Sequence, residues 1–151
     1  MTRSKRIKPV VDVAERREQE QARRLGAAQR ELEQQRQQLD QLIQYRDEYA
    51  RQFENAGNTG LSVARLQDYR VFLARLNQAI DQQRQRISQS EQACEQQRQH
   101  WLASRTRAQA LDKVADRYRE EENQAQERRD QTESDEFALQ RHQRNKDRDR
   151  S

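Results

Sequence analysis

Residues 66–101, LQDYRVFLARLNQAIDQQRQRISQSEQACEQQRQHW, decide the fold, because an apolar residue returns there at every seventh position. These positions, labelled a, hold Leu66, Leu73, Ile80, Ile87, Cys94 and Trp101, and the frame continues to Ala108 and Ala115. An unbroken repeat of seven predicts a helix that supercoils left-handed around a partner helix.

A second heptad frame precedes this stretch. Its a positions hold Val11, Glu18, Leu25, Leu32, Leu39, Arg46 and Phe53, and its d positions hold Ala14, Gln21, Ala28, Gln35, Leu42 and Tyr49. Nine of these thirteen residues are apolar, in a chain that is only 31% hydrophobic. That excess on one face indicates a helix rather than a disordered chain, which is the alternative for so polar a sequence.

A loop with Gly57 and Gly60 separates the two frames, and Thr59 or Ser62 is placed to cap the second helix. So short a loop makes the helices antiparallel. The predicted fold is therefore all-α, a long two-helix antiparallel coiled-coil hairpin with a second helix longer than the first. The expected parts are a basic N-terminal arm (1–9), helix 1 (10–54), a loop (55–61), helix 2 (62–140) and a polar, disordered tail (141–151).

The pairing that best fits this loop places Phe53 opposite Ser62 and Leu42 opposite Leu73. Toward the termini, the same pairing matches Ala14 with Trp101 and Val11 with Ser104. It predicts a seam that is strong near the loop and thin near the termini, with an unpaired overhang beyond Leu111. The apolar residues of that overhang are Leu111, Val114, Tyr118, Phe137 and Leu139. The overhang is either a fraying, solvated helix or a segment that packs against a partner.

One flank of the predicted coil carries more apolar side chains than a two-stranded fold requires. Tyr45, Phe72 and Ala79 occupy g positions, and the pairing places Tyr45 beside Phe72. The whole strip comprises Gln38, Leu42, Tyr45, Tyr49, Phe72, Leu76, Ala79 and Gln83. Exposed apolar patches of this kind usually mark partner surfaces, so we expect docking here rather than simple widening of the seam.

Composition and charge exclude several functions. The net charge of +4 equals the contribution of Arg3, Lys5, Arg6 and Lys8, and the rest of the chain is balanced, which argues only weakly for nucleic acid. No segment reads as a signal peptide or a membrane span, and a single cysteine, Cys94, fits a reducing compartment, so we expect a cytoplasmic protein. Cys94, His100 and His142 lack catalytic or metal-ligand spacing, so we expect no enzyme, cofactor or metal.

Several segments, in order along the chain, resemble the bacterial flagellar export protein FliJ family. They are Leu42-Ile43-Gln44-Tyr45-Arg46-Asp47-Glu48-Tyr49 before the loop and Leu66-Gln67-Asp68-Tyr69-Arg70-Val71-Phe72-Leu73-Ala74-Arg75-Leu76 after it. The charged segment Leu111-Asp112-Lys113-Val114-Ala115-Asp116-Arg117-Tyr118 is also similar. The resemblance covers nearly the whole chain.

The resemblance implies a non-enzymatic stalk of the flagellar type III export apparatus. FliJ proteins are similar to the coil of the γ subunit in rotary ATPases, and their terminal part is held to enter a hexameric export ATPase. They also engage the export gate protein FlhA and late-substrate chaperones. The gate-binding positions match the strip defined above, from Gln38 to Gln83. ATPase contacts are expected in the terminal coil near Val11, Ala14, Trp101 and Leu111, and the protein is expected at the flagellar base, peripheral to the inner membrane.

Two other functions remain open at this point. The chain has the features expected of the equivalent stalk of a virulence-type injectisome, which differs in its partners rather than its physics. A generic coiled-coil adaptor, or a nucleic-acid-binding coil using the basic arm, is the other alternative. Steep salt dependence of nucleic-acid binding would support the latter.

Overall fold

Two helices make up the part of the chain that the computed structural model describes, residues 1–58 and 60–150. Helix α1 covers Arg3–Gly57 and helix α2 covers Val63–Arg150, with no strand among the described residues. The chain divides into two compact units, a loop unit (Gln19–Ala103) and a terminal unit (Met1–Glu18 with the chain from Ser104 onward). Within each unit the helices pair antiparallel, which confirms the predicted fold class.

Burial follows the two heptad frames. The nine most buried side chains all occupy a or d positions, and they are Val11, Ala14, Leu32, Leu76, Ile80, Gln83, Ile87, Ala108 and Ala115. Ile80 is the most enclosed, with 1% of its surface exposed. The prediction of an apolar seam at these positions is confirmed, because the period of the sequence matches the period at which a helix returns to its partner.

Glycine shapes the connection between the helices. Gly57 ends α1, and its carbonyl accepts a hydrogen bond from the Gly60 amide at 3.3 Å. Gly60 has a φ of 87°, in the left-handed region that residues with a Cβ rarely adopt. Ser62 caps α2, since its Oγ accepts the Arg65 N–H at 3.3 Å. Thr59, the other predicted cap, lies outside the described residues.

The predicted register is wrong by one heptad in the loop unit. Phe53 stacks on Tyr69 with ring centroids 3.6 Å apart, whereas the sequence placed it opposite Ser62. Arg46 donates to Asn77 Oδ1 at 3.3 Å, which fits the same shift. Two stacked aromatic rings bury more apolar surface than one ring against a serine, which favours the observed pairing. Because α1 continues to Gly57, Phe53 can lie opposite a residue that is seven positions further along α2 than predicted.

Both helices extend beyond the predicted bounds. Residues 3–9, expected as an arm, form the first turns of α1, and Pro9 lies inside that helix. Residues 141–150, expected as a disordered tail, continue α2. No glycine or proline follows Gly60 in the sequence, so nothing there interrupts the helix.

The expected start of the overhang is corrected in the terminal unit. Leu111, Val114 and Tyr118 are half-buried, and Ala108 and Ala115 are buried, so pairing continues past Leu111. It ends at Glu122, which contacts Ser4, and every described residue from 123 to 150 is exposed. The terminal seam was predicted to be loosely packed, but small buried residues such as Ala108 and Ala115 pack it closely. Because α1 begins at Arg3 rather than at residue 10, its first turns pair with the part of α2 that was predicted to be unpaired.

Candidate partner-binding sites

The aromatic flank, defined as Tyr45, Tyr49 and Phe72, is assembled by both helices of the loop unit. The Phe72 ring lies between the two tyrosines, 4.4 Å from Tyr49 and 6.0 Å from Tyr45 between centroids. The Tyr45 ring meets Phe72 edge-on at 80°, and Tyr49 also stacks on Tyr69 at 5.4 Å. The predicted neighbourhood of Tyr45 and Phe72 is thus present, although the helix register differs.

Exposure distinguishes the packing residues from those open to a partner. Leu76 and Gln83 are buried in the seam, and Leu42, Tyr49, Phe72 and Ala79 are half-buried. Tyr45 keeps 51% of its surface exposed, and Gln38 is exposed as well. Large aromatic side chains held rigid by their neighbours and left open on one side are the usual anchors of protein interfaces.

Gln83 joins the two helices at the end of this surface that lies farther from the loop. Its Nε2 donates to the Gln35 carbonyl at 2.9 Å and to Gln35 Oε1 at 2.6 Å. A longer bond of 3.4 Å reaches Gln38 Oε1. The bonds of its Nε2 tie α2 to α1, so the buried Gln83 belongs to the seam rather than to the surface open to a partner.

A polar group formed by Arg46, Asp47 and Asn77 lies next to the aromatic flank. The Arg46 guanidinium donates to Asn77 Oδ1 at 3.3 Å, and its Nε lies 3.5 Å from Asp47 Oδ1. The bond to Asn77 crosses from α1 to α2, whereas Asp47 is the next residue of α1. Arg46 follows Tyr45 directly, so this group gives the aromatic flank the polar border expected of an interface.

The predicted terminal contact residues face the seam rather than solvent. Val11 and Ala14 are buried, and Leu111 is half-buried, all in the terminal unit. Trp101 is half-buried and belongs to the loop unit. These four side chains therefore shape the coil, and a partner would meet the residues beside them.

Sequence reasoning missed the surface next to those residues. Val10 and Val13 are 46% and 44% exposed, and with Pro9, Ala14, Arg17 and Arg107 they line an open groove of about 320 Å³. A second groove of about 320 Å³ is lined by Arg3, Arg6, Ile7 and Tyr118. The available signal was the occurrence of valine at positions outside the a/d frame.

The first turn of α1 is hydrogen-bonded to α2 through the Glu122 carboxylate. The Ser4 N–H and Ser4 Oγ donate to the two oxygens of Glu122 at 3.0 and 2.6 Å. These hydrogen bonds, the side-chain one foremost, lower the pKa of Glu122 below its usual value. A negative charge at a helix N-terminus satisfies amides that lack intrahelical partners, so Glu122 acts as an interhelical cap.

Within residues 1–58 and 60–150, no cluster of three or more His, Cys, Asp and Glu side chains is placed to hold a metal ion. No described helix is long and apolar enough to cross a membrane.

Comparison with known proteins places the chain in a family. The family model for the flagellar FliJ protein matches residues 3–147. The flagellar FliJ protein of Escherichia coli is 32% identical over 127 residues, covering 84% of this chain and 86% of that protein. The flagellar FliJ protein of Salmonella typhi is 31% identical over 132 residues, covering 87% and 90% respectively. The chain therefore belongs to the FliJ family and is a component of the flagellar export apparatus.

Proposed function

We propose that this protein is a non-enzymatic stalk that binds the hexameric export ATPase through its terminal unit and the export gate protein FlhA through its aromatic flank. Substrate chaperones are further partners in this proposal. The protein then works in the cytoplasm at the flagellar base, held peripherally to the inner membrane by these partners. One observation carries the proposal: the Tyr45 ring is 51% exposed and is held in place by Phe72. The seam between the helices is packed without it, so the ring is available to a partner.

The aromatic flank supports gate binding on energetic grounds. Phe72 and Tyr49 contact each other and the seam, whereas half of Tyr45 faces solvent without being needed to close the coil. An exposed aromatic side chain already held by a neighbour loses little conformational entropy on binding. The position of this cluster also matches the positions that the family resemblance assigns to gate contact.

The terminal unit supports ATPase binding through its construction. The seam there is made by Val11, Ala14, Ala108 and Ala115, which are small enough to hold the two helices close together. The Ser4 bonds to Glu122 keep α1 paired with α2 to its first turn. A coil that stays paired to its end can enter a ring as one body.

The gate-binding site is tested by replacing the exposed Tyr45 and the half-buried Phe72 that supports it, in the double variant Tyr45→Ala with Phe72→Ala. We expect helicity by circular dichroism to persist and capture by the cytoplasmic part of FlhA to fall by at least ~100-fold, since aromatic anchors each contribute about 2 kcal/mol or more. Val71→Ala is the matched control, because Val71 is 53% exposed and adjacent to Phe72 in sequence. Unchanged capture of the double variant would refute the aromatic flank as the gate site.

The ATPase role is tested by mixing the full chain with the purified export ATPase. We expect co-elution with the hexamer and faster ATP hydrolysis, and we expect the gate variant above to retain both. If the chain neither binds the hexamer nor changes its hydrolysis rate, the stalk proposal fails, whatever the result for FlhA.

A further inference from the structure

The surface we single out is the terminal strip, defined as Arg3, Arg6, Val10, Val13 and Arg17. These residues follow one another at intervals of three and four along α1, so they lie on one flank of the helix. Arginines stand at both ends of the strip, and the two exposed valines occupy its middle. Arg107 of α2 borders the same groove as Val10, Val13 and Arg17.

Within residues 1–58 and 60–150, the arginine side chains of this strip have no carboxylate partner. Some arginines of α1 and α2 pair with nearby carboxylates, as Arg24 does with Glu20 at 2.8 Å and Arg98 does with Glu95 at 2.8 Å. Others, such as Arg23 and Arg30 of the loop unit, form no ion pair among the described residues, so the strip is distinguished by the alignment of its arginines around two exposed valines. Among the described residues, no ion pair engages the guanidinium groups of Arg6, Arg17 or Arg107. Arg3 instead lies over the Tyr118 ring, 5.7 Å from its centroid.

The opposite flank of the same unit has a different character. The groove there is lined by Lys5, Lys8 and Arg119 but also by Asp12, Glu15 and Asp112. Mixed charges are typical of a solvated helix surface, whereas a one-signed flank with an apolar centre selects its partner by charge.

We propose that the terminal strip docks an acidic helical segment of a protein partner, with carboxylates on Arg6, Arg17 and Arg107 and an apolar side chain between Val10 and Val13. The inference rests on the proposed function in taking that partner to be the export ATPase. Guanidinium groups bind carboxylates in a bidentate geometry, and a partner of this pattern leaves neither the cations nor the valines unmatched.

The valines decide between classes of partner. A nucleic-acid backbone offers phosphates to the arginines but no apolar group for Val10 and Val13. Membrane-surface helices insert Trp, Phe or Leu, whereas the exposed apolar residues of this strip are two valines beside Pro9. An acidic, amphipathic protein segment satisfies both parts of the strip.

The charge test uses the full chain and the variant R6E/R17E. The probes are the purified export ATPase and a synthetic helical peptide with glutamates at the spacing of the strip arginines and leucines at the spacing of its valines. We expect R6E/R17E to weaken both interactions about 10-fold or more, since two attractive pairs become repulsive. R23E/R30E makes the same change of charge on α1 in the loop unit, and we expect it to bind both probes like the parent chain.

A second variant removes the apolar centre without changing charge. V10S/V13S should weaken peptide and ATPase binding while leaving the salt dependence of binding unchanged, whereas R6E/R17E should flatten or reverse that dependence, because salt screens its new repulsions. FlhA capture should be the same for both variants and the parent chain, and circular dichroism should show intact helices. A loss of helicity in R6E/R17E would leave V10S/V13S to decide the question.

The outcomes separate this inference from the proposed function. ATPase binding that R6E/R17E retains would overturn the strip but not the stalk. If the parent chain fails to bind the ATPase, the stalk fails, and peptide binding alone then decides the strip. Strip-dependent binding to anionic phosphatidylglycerol vesicles or to DNA without peptide binding would overturn the inference. So would a dimer in sedimentation that R6E/R17E abolishes, because the exposed carboxylates of residues 127–136 would then be the occupant.

Discussion

The replacement Ile80→Ala tests the packing and the register of the loop unit together. Ile80 is 1% exposed and occupies an a position, so the change removes three buried carbons from the seam. Large-to-small changes of this type cost about 2–5 kcal/mol, the sum of lost transfer free energy and the cavity left behind. A two-stranded coil can partly close such a gap, so we expect a loss of about 3 kcal/mol in the free energy of unfolding.

The assay is urea unfolding followed by far-UV circular dichroism. Leu139→Ala is the control, because Leu139 is 69% exposed and its loss should change the unfolding free energy by about 0.5 kcal/mol or less. A loss below about 1 kcal/mol for Ile80→Ala would refute its place at the centre of the seam.

A double-mutant cycle extends this test to the register. The stacking of Phe53 on Tyr69 sets a register that places Leu42 across from Ile80, whereas the register read from the sequence placed Gln35 there. Ile80→Ala and Leu42→Ala should therefore be coupled by at least about 0.5 kcal/mol. Additive effects with Leu42, together with coupling to Gln35, would contradict the register of the structure.

Three further perturbations test the first turn of α1 and two glycines. The pKa of Glu122 is lowered in the folded chain, so its bonds to Ser4 contribute fully above its ordinary value of 4.5 and are lost as the pH falls through the lower, folded value. The Ser4 amide should lose hydrogen-exchange protection in that acidic window, and Glu122→Gln should remove this pH dependence; protection that persists in acid would argue against the cap. Gly60→Ala should destabilise the chain by about 1 kcal/mol, because the φ of 87° strains any residue with a Cβ. Gly26→Ala should stabilise it by about 1 kcal/mol, since Gly26 is inside α1 and a Cβ there meets only the flexible end of Arg30 at 3.4 Å; thermal unfolding that shows the reverse order would refute both assignments.

The residues of the aromatic flank could be predicted from the sequence, although their arrangement could not. Tyr45 and Phe72 stand outside the a/d frame, and that alone identified them as surplus to the seam. Their contact survives the change of register because aromatic side chains are long, and Phe72 reaches both Tyr45 and Tyr49. The division between the exposed Tyr45 and the buried Gln83 depends on the actual pairing, so only the structure could supply it.

The terminal strip illustrates the opposite case. Arg6 lies in the segment predicted as a basic N-terminal arm, whereas Val10, Val13 and Arg17 lie in predicted helix 1, so the four residues were not read as one helical face. Once α1 begins at Arg3, the same residues form one flank, and the neighbouring Arg107 joins it from α2. Whether charges on two helices form a common surface depends on their packing, which composition does not contain.

The sequence by itself determined the two helices, the loop between them and the residues that face the seam, because the period of seven is a local property of each helix. Only the tertiary structure decided the register, the extent of pairing to Glu122 and the surfaces that result. The physical reason is that sliding one helix by seven residues preserves the apolar pattern along both. The choice among such registers is made by side-chain volumes and ring contacts, such as Phe53 on Tyr69, which become defined only when the two helices meet.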